Sequence, residues 1–449
     1  MDDVVDAPTR QAAEAVARRS YGKLIAFLAA RTRDVAGAED ALSEAFAAAL
    51  AAWPESGVPR NPEAWLLTAA RRKMIDAARQ RHTRDGTAEH LVLLAELAER
   101  DGDDPEAIPD DRLALMFACT HPGIAPEVRA PLMLQVILGF DAATIASAFL
   151  VAPSTMGQRL SRAKAKIRDA GIPFRVPVQH EWRERLDAVL EAIYATYAEG
   201  WVDAAGTDLR RRNLAEEAIW LGSLVAALLP QEPEALGLLS LMLHAHARRN
   251  ARRDAQGRYV PLAEQDPALW DAAMIDQAEA LLSCAARSHA VGRYQLEAAI
   301  QSAHGVRRRS GRADWRAIEQ LYDALVAMTG SPVAGINRAI AVAETRGPAA
   351  ALALLDGLAG DARLAQYQPY WAARAGLLAR MGDRHAADQA YERAMGLETD
   401  AAVREFLQQQ RLALVTADPP DPMVRYDEPP SSQERPWPGP TSPSGKTAT

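Results

Sequence analysis

Apolar residues recur at helical spacing along most of the chain. Within residues 38–53 four of them fall at positions i, i+4, i+8 and i+11, which predicts a helix with one buried face: Leu42, Phe46, Leu50 and Trp53. Residues 61–81 begin with Asn61 and Pro62, residue types preferred at an N-cap and at the first helical position. Runs of alternating β-branched residues are nearly absent. We therefore expect an all-α fold.

Residues 141–170 carry the most specific local pattern. Asp141 is the expected N-cap of a short helix, residues 150–153 form a turn, and Ser154 is the expected N-cap of a second helix. An apolar stripe along the second helix predicts its buried face: Met156, Leu160, Ala163 and Ile167. This is a helix-turn-helix pattern, in which the second helix can enter the major groove of DNA. An ordinary amphipathic helix with a solvated basic face is the alternative.

Charge is concentrated in three segments. Residues 71–84 carry a net charge of +5 and residues 154–170 a net charge of +4, whereas residues 96–111 carry −7. The whole chain has a net charge of −8, which argues against indiscriminate binding to nucleic acid. Two basic helices on either side of an acidic segment indicate two separate DNA-binding modules.

The chain of 449 residues divides at Pro-rich, Gly-rich and acidic segments. We expect helical domains at 10–85 and 111–175, an acidic linker at 86–110, a helical extension at 182–310 with a hairpin at 251–266, and helices resembling tetratricopeptide repeats at 311–415. Residues 416–449 are rich in Pro and Ser, and we expect a disordered tail.

The candidate chemistry is sparse. Two cysteines allow no disulfide framework, no apolar run is long enough to span a membrane, and the acidic N-terminus is not a signal peptide, so we expect a cytoplasmic protein. No catalytic motif, metal site or cofactor site is predicted, and the protein is not expected to be an enzyme. Four arginines at 248, 249, 252 and 253 form a solvated face, pair with acids such as Glu264 and Asp266, or receive an anionic ligand.

The two basic modules resemble bacterial sigma factors of the extracytoplasmic-function type. Residues 38–46 are similar to the region 2 helix that contacts the polymerase clamp, and residues 64–81 to the segment that melts and reads the −10 element. The loop at 54–62 matches the position of the loop that captures a flipped base. Residues 141–170 are similar to region 4, which reads the −35 element.

The resemblance implies three sets of contact residues. Those for core RNA polymerase are Asp40, Glu44 and Phe46. Those for the −10 element are Arg60, Asn61, Trp65, Arg71, Arg72, Lys73, Asp76 and Arg79. Those for the −35 element are Ser154, Thr155, Gln158, Arg159, Arg162 and Lys166, while Lys164 and Arg168 are expected at phosphates.

The sequence beyond residue 178 resembles the subgroup of these sigma factors with a C-terminal tetratricopeptide-like, DUF6596-type extension. The resemblance implies that core RNA polymerase (clamp and flap) and promoter DNA are the partners, together with a small regulatory protein, and that the extension contacts the sigma domains and modulates their activity. Two other interpretations remain: a DNA-binding regulator with a helical sensor domain, and a helical scaffold for protein interactions.

Overall fold

The structure is a computed structural model that describes residues 7–85, 110–149, 151–178, 181–202 and 209–416. Within these ranges the regular structure is helical and contains no strand, so the predicted all-α fold is confirmed. The expected linker at 86–110 lies almost entirely outside the described residues, and so does the expected tail at 416–449.

The described residues form nineteen helices and three short 3-10 turns. The first seven are α1 (Ala7–Thr32), α2 (Val35–Ser56), α3 (Pro62–Asp85), α4 (Arg112–Cys119), α5 (Pro126–Leu138), α6 (Ala142–Ala148) and α7 (Pro153–Asp169). The next five are α8 (Trp182–Val202), α9 (Leu209–Leu228), α10 (Pro233–His246), α11 (Ala272–Ala286) and α12 (Arg293–Gly305). The remainder are α13 (Arg307–Ser310), α14 (Trp315–Thr329), α15 (Pro332–Thr345), α16 (Pro348–Leu358), α17 (Gln368–Arg380), α18 (Arg384–Leu397) and α19 (Ala401–Thr416). Short 3-10 turns lie at Arg249–Ala251, Pro267–Leu269 and Ala362–Leu364.

Helices α1 to α3 pack side by side through small and aliphatic residues. Asn61 accepts a hydrogen bond from the Ala64 amide at 3.1 Å, which confirms it as the residue that caps α3. The buried face of α2 contains more alanine than predicted: Ala41, Ala45 and Ala49 are buried beside Leu42 and Trp53. The prediction was wrong for Leu50, which is 44% exposed.

Helices α4 to α7 form the second helical unit. Asp141 accepts a hydrogen bond from the Thr144 amide at 2.8 Å, which confirms the predicted cap of α6. The predicted stripe of α7 is also confirmed, because Met156, Leu160, Ala163 and Ile167 are all buried. Ser154 was wrongly predicted as a cap: α7 begins one residue earlier, at Pro153, and its N-cap residue, Ala152, makes no side-chain hydrogen bond.

The first two helical units and the extension share one hydrophobic core. Buried residues form a single cluster that reaches from Val16 in α1 to Ala298 in α12. Helix α1 crosses α5 so closely that a Cβ atom at Gly22 would lie 2.3 Å from the carbonyl oxygen of Ile137. Glycine at this position therefore permits the contact between the first two units.

Helix α8 joins the extension to this core. It packs against α4 and α5, and the guanidinium of Arg185 donates a hydrogen bond to the carbonyl oxygen of Phe117. The rings of Phe117 and Trp182 are 5.6 Å apart. The extension thus rests directly on the unit that contains α6 and α7.

The C-terminal helices pack as successive antiparallel pairs. Gly382 has a φ of +82° at the turn between α17 and α18, whose facing residues include Ala375 and Tyr391. The hairpin predicted at 251–266 is reduced to a single bridge between Arg253 and Tyr259. Among the described residues, no helix has the combination of length and hydropathy needed to cross a membrane.

Candidate promoter and polymerase interfaces

The residues expected to contact polymerase lie on the outer side of α2. Asp40 and Glu44 are exposed, while Phe46 is half-buried and packs on the core. Leu50, one turn further along, adds an exposed apolar group to the surface of this helix. An acidic surface with apolar groups beside it can contact a partner whose surface is basic and apolar.

Glu44 is also linked to the neighbouring basic helix. Its carboxylate lies 2.9 Å from the ammonium of Lys73 in α3, and both side chains are at least half exposed. This hydrogen bond raises the pKa of Lys73. Exposed pairs of this kind contribute little to stability, so either side chain can leave the pair and contact another molecule at little cost.

The loop between α2 and α3 comprises residues 57–61, which is shorter than the predicted 54–62, because α2 continues through Pro54 to Ser56 and α3 begins at Pro62. Trp53 shortly before it and Trp65 shortly after it meet edge to face, with ring centroids 5.6 Å apart. Gly57 has a φ of +79° and donates from its amide to the carbonyl of Trp53, which ends α2. The aromatic pair closes the base of the loop and leaves Val58 and Arg60 exposed at its outer side.

Helix α3 presents a basic outer face. Arg72 and Lys73 are exposed, as are Asp76 and Arg79, whose side chains lie 3.7 Å apart. Arg71 behaves differently, because it is only 7% exposed and its guanidinium lies 5.0 Å from the ring centroid of Phe27. The expected role of Arg71 at DNA is therefore not retained: the residue is part of the core contact between α1 and α3.

Helix α7 exposes one row of polar residues opposite its buried stripe. The row consists of Ser154, Gln158, Arg162 and Lys166, and Thr155 and Arg159 lie half-buried at its margin. The backbone amide of Val151 bonds to the carbonyl of Ala146 at 2.9 Å, so the turn holds α6 close to the start of α7. Arginine and glutamine side chains on the outer face of such a helix can donate to base edges in a major groove.

Lys164, which was expected at a phosphate, is paired within the protein in this arrangement. Its ammonium instead lies 2.6 Å from the carboxylate of Glu39 in α2, and the two side chains are only 14% and 13% exposed. Burial raises the pKa of Glu39 even though the ammonium of Lys164 opposes this shift. No local sequence signal identifies this pair, because its members lie 125 positions apart.

Three residues whose side chains can bind metal ions are buried: Cys119, His244 and His246. His244 and His246 are 3% and 6% exposed, and burial lowers the pKa of each to about 4. Burial also raises the pKa of the Cys119 thiol. The described part of the chain contains no cluster of three or more His, Cys, Asp or Glu residues able to hold a metal ion.

Comparison with known proteins places two of these segments in families. Residues 16–84, which contain α2 and α3, match sigma-70 region 2. Residues 185–286 match a family of unknown function, DUF6596. A sigma-70 region 2 followed by a DUF6596 segment supports a sigma factor of the extracytoplasmic-function type. The sigma-70 match spans both the acidic surface of α2 and the basic face of α3.

A curated relative extends the likeness of this sigma factor over most of its length. An uncharacterized protein of Rhizobium meliloti (strain 1021) is 39% identical over 378 residues, which cover 83% of this chain and 89% of the relative. No solved structure matches the chain. The sigma-70 region supports a role in transcription initiation, with core RNA polymerase and promoter DNA as partners.

Proposed function

We propose that this sigma factor is an alternative sigma factor that reads both a −10 and a −35 element. The −10 element would be melted and bound by the loop at 57–61 and the exposed face of α3. The −35 element would be read by the exposed row of α7, and polymerase would be held through Asp40, Glu44 and Phe46. The observation that carries the proposal is the sigma-70 match on helices with an exposed basic face.

We expect different side chains of α7 to contact base edges and phosphates. Gln158 and Arg162 have the donor groups needed to recognise adenine and guanine edges. Lys166, a turn beyond Arg162, is suited to a phosphate, where it gives affinity without sequence information. Arg168, whose guanidinium lies 2.9 Å from the carboxylate of Asp169, is expected at a phosphate rather than at a base edge.

The compact arrangement must open before both elements can be read. Elements at −35 and −10 lie about 25 base pairs apart, or about 85 Å along the duplex. Two helical units of this size are each about 30 Å across, so two units in contact span at most about 60 Å. The direct contact between Glu39 and Lys164 is therefore incompatible with simultaneous reading of both elements on straight DNA.

The extension would modulate this opening. Helix α8 packs on α4 and α5, and Arg185 bonds to the carbonyl of Phe117. These contacts hold the unit that carries α7 and bury the surface between it and the extension. A signal that changes the packing of α8 would thus change the freedom of α7 to reach a −35 element.

Run-off transcription with purified core polymerase tests the proposal. We expect the full-length protein to start transcription on a duplex with its promoter, and Arg162→Met with Gln158→Ala to lose most of this activity. Arg168→Met is the matched control, because it removes an arginine from the same helix that already has an acidic partner. Equal activity of the wild type, the double variant and Arg168→Met would contradict the assignment of α7.

A further inference from the structure

A cavity of about 690 Å³ lies where the DUF6596 segment meets the C-terminal helices. Its wall combines residues from the end of α10, the loop at 261–263, α12 and the facing sides of α14 and α15. Known small-molecule sites range from roughly 300 to 1,000 Å³. Among the described residues that line it, none is Asp or Glu, although three are arginines: Arg248, Arg307 and Arg312.

Arg248 is the central charge of this cavity. Its guanidinium donates to the amide oxygen of Gln301 and lies 5.9 Å from the ring centroid of Trp270. Burial lowers the pKa of Arg248 to about 10, and no carboxylate in the described chain opposes that shift. Arg248 is half-buried and no Asp or Glu lines the cavity, so an anion that enters would meet a cation with no acidic partner in this wall.

The neighbouring arginines are not neutralised by acids from this wall. Arg307 donates to the carbonyls of Leu262 and Gln265 at 2.8 and 3.0 Å, and so fixes the loop over the cavity. The nearest acid in sequence, Asp314, turns away to cap α14, where it accepts from the Ala317 amide at 3.0 Å. Arg253 is a contrast, since it forms an ion pair with Asp400.

The other walls of the cavity are aromatic. Trp270 is nearly buried, and Tyr322 and Trp315 contribute further rings. His304 meets Trp315 edge to face at 5.5 Å, and burial lowers its pKa to about 4, so its ring is neutral at pH 7. Rings and guanidinium planes in one cavity suit a flat ligand that stacks on one and pairs with the other.

We propose that this cavity binds a small planar organic anion, namely an aromatic or heteroaromatic ring that carries a carboxylate or a phosphate. Arg248 would pair with the anionic group in a two-pronged hydrogen bond, and the rings of Trp270, Trp315 and Tyr322 would enclose the planar part. Such a ligand would touch both the DUF6596 segment and the C-terminal helices. The proposal does not depend on promoter recognition, and its test needs no polymerase.

Isothermal titration calorimetry on the full-length protein tests this site with two pairs of probes. Indole-3-carboxylate is compared with the neutral indole-3-carboxamide, and adenosine monophosphate with neutral adenosine. We expect at least one anion to bind with a Kd below about 1 mM and its neutral counterpart to bind at least tenfold more weakly. The two pairs distinguish a carboxylate ligand from a nucleotide.

Arg248→Met supplies the decisive variant. It should weaken anion binding at least tenfold, because it removes the guanidinium that would pair with the anion, and the Tm of the ligand-free variant shows that it is folded. Arg249→Met is the control, since Arg249 is the exposed neighbour and should be replaceable without effect on binding. The proposal is overturned if neither anion binds, if neutral probes bind equally well, or if Arg248→Met binds the anion as wild type does.

Discussion

Replacing Lys164 with Met should release the unit that carries α7 and accelerate initiation. The substitution leaves Glu39 in a site where each partner is only 13–14% exposed, without the ammonium that lay 2.6 Å from its carboxylate. Burial already raises the pKa of Glu39 in the presence of that ammonium. The variant therefore destabilises the closed arrangement relative to any arrangement in which the ionised carboxylate of Glu39 is hydrated.

The expected magnitude follows from the cost of an unpaired buried charge. A hydrogen bond to a charged group contributes about 1.5–3 kcal/mol, and leaving its buried partner unsatisfied costs a similar amount. A shift of about 1–3 kcal/mol changes an equilibrium by about 5- to 150-fold. The population of the open form should rise by this factor as long as the closed form predominates.

A double-mutant cycle separates the contact from the loss of a positive charge. Glu39→Gln combined with Lys164→Met leaves two neutral groups, so the closed form should recover much of its stability. The assay is the initial rate of run-off transcription with limiting sigma factor, together with the distance between fluorophores on α3 and α7. Lys166→Met is the control, because Lys166 is exposed on the same helix and should only weaken DNA binding.

The opening mechanism would be refuted by either of two results. One is an unchanged distance and rate in Lys164→Met. The other is a loss of activity in Lys164→Met as large as in Lys166→Met, with no recovery in the double variant, which would make Lys164 a DNA contact after all.

Three further predictions concern the individual helices. Arg71→Met should lower the free energy of unfolding, as measured by urea titration, by about 1–3 kcal/mol. Arg72→Ala should change the free energy of unfolding by less than about 0.5 kcal/mol. It should instead reduce promoter melting, as measured by permanganate footprinting. A base substitution opposite Arg162 should weaken the free energy of promoter binding by about 1–3 kcal/mol in wild type and by little in Arg162→Met. Competition binding of the polymerase holoenzyme measures this difference. The pKa of His246 is lowered to about 4, compared with about 6.5 in an unfolded chain. The unfolded state therefore binds more protons between these values, and the free energy of unfolding should fall as the pH drops from about 6.5 to about 4. Urea midpoints of wild type and His246→Gln at pH 7 and 5 test this, and an equal change of midpoint in both proteins would contradict it.

Local features of the fold could be predicted because they depend on residues close in sequence. The caps at Asn61 and Asp141 and the buried stripe of α7 follow from spacing alone. Leu50 was assigned to the core because its spacing fits, but the close helix packing around α2 is made by alanines, and the larger side chain lies outside.

Contacts between distant segments could not be predicted. Nothing in the sequence indicates that Lys164 meets Glu39 or that Arg185 bonds to the carbonyl of Phe117. The arginine run was expected to be solvated, to pair with acids such as Glu264 and Asp266, or to receive an anion, but Arg253 pairs with Asp400, the residue just before the last helix. Such pairings depend on how whole helices cross, which periodicity does not specify.

Run-off transcription on the DNA upstream of its own operon tests the central claim most directly. Purified core polymerase is combined with the full-length protein, and binding of the protein alone to the same DNA is measured in parallel. The account predicts a discrete transcript that requires both polymerase and the protein. No transcript, together with tight binding of the DNA in the absence of polymerase, would contradict it and indicate a conventional DNA-binding regulator.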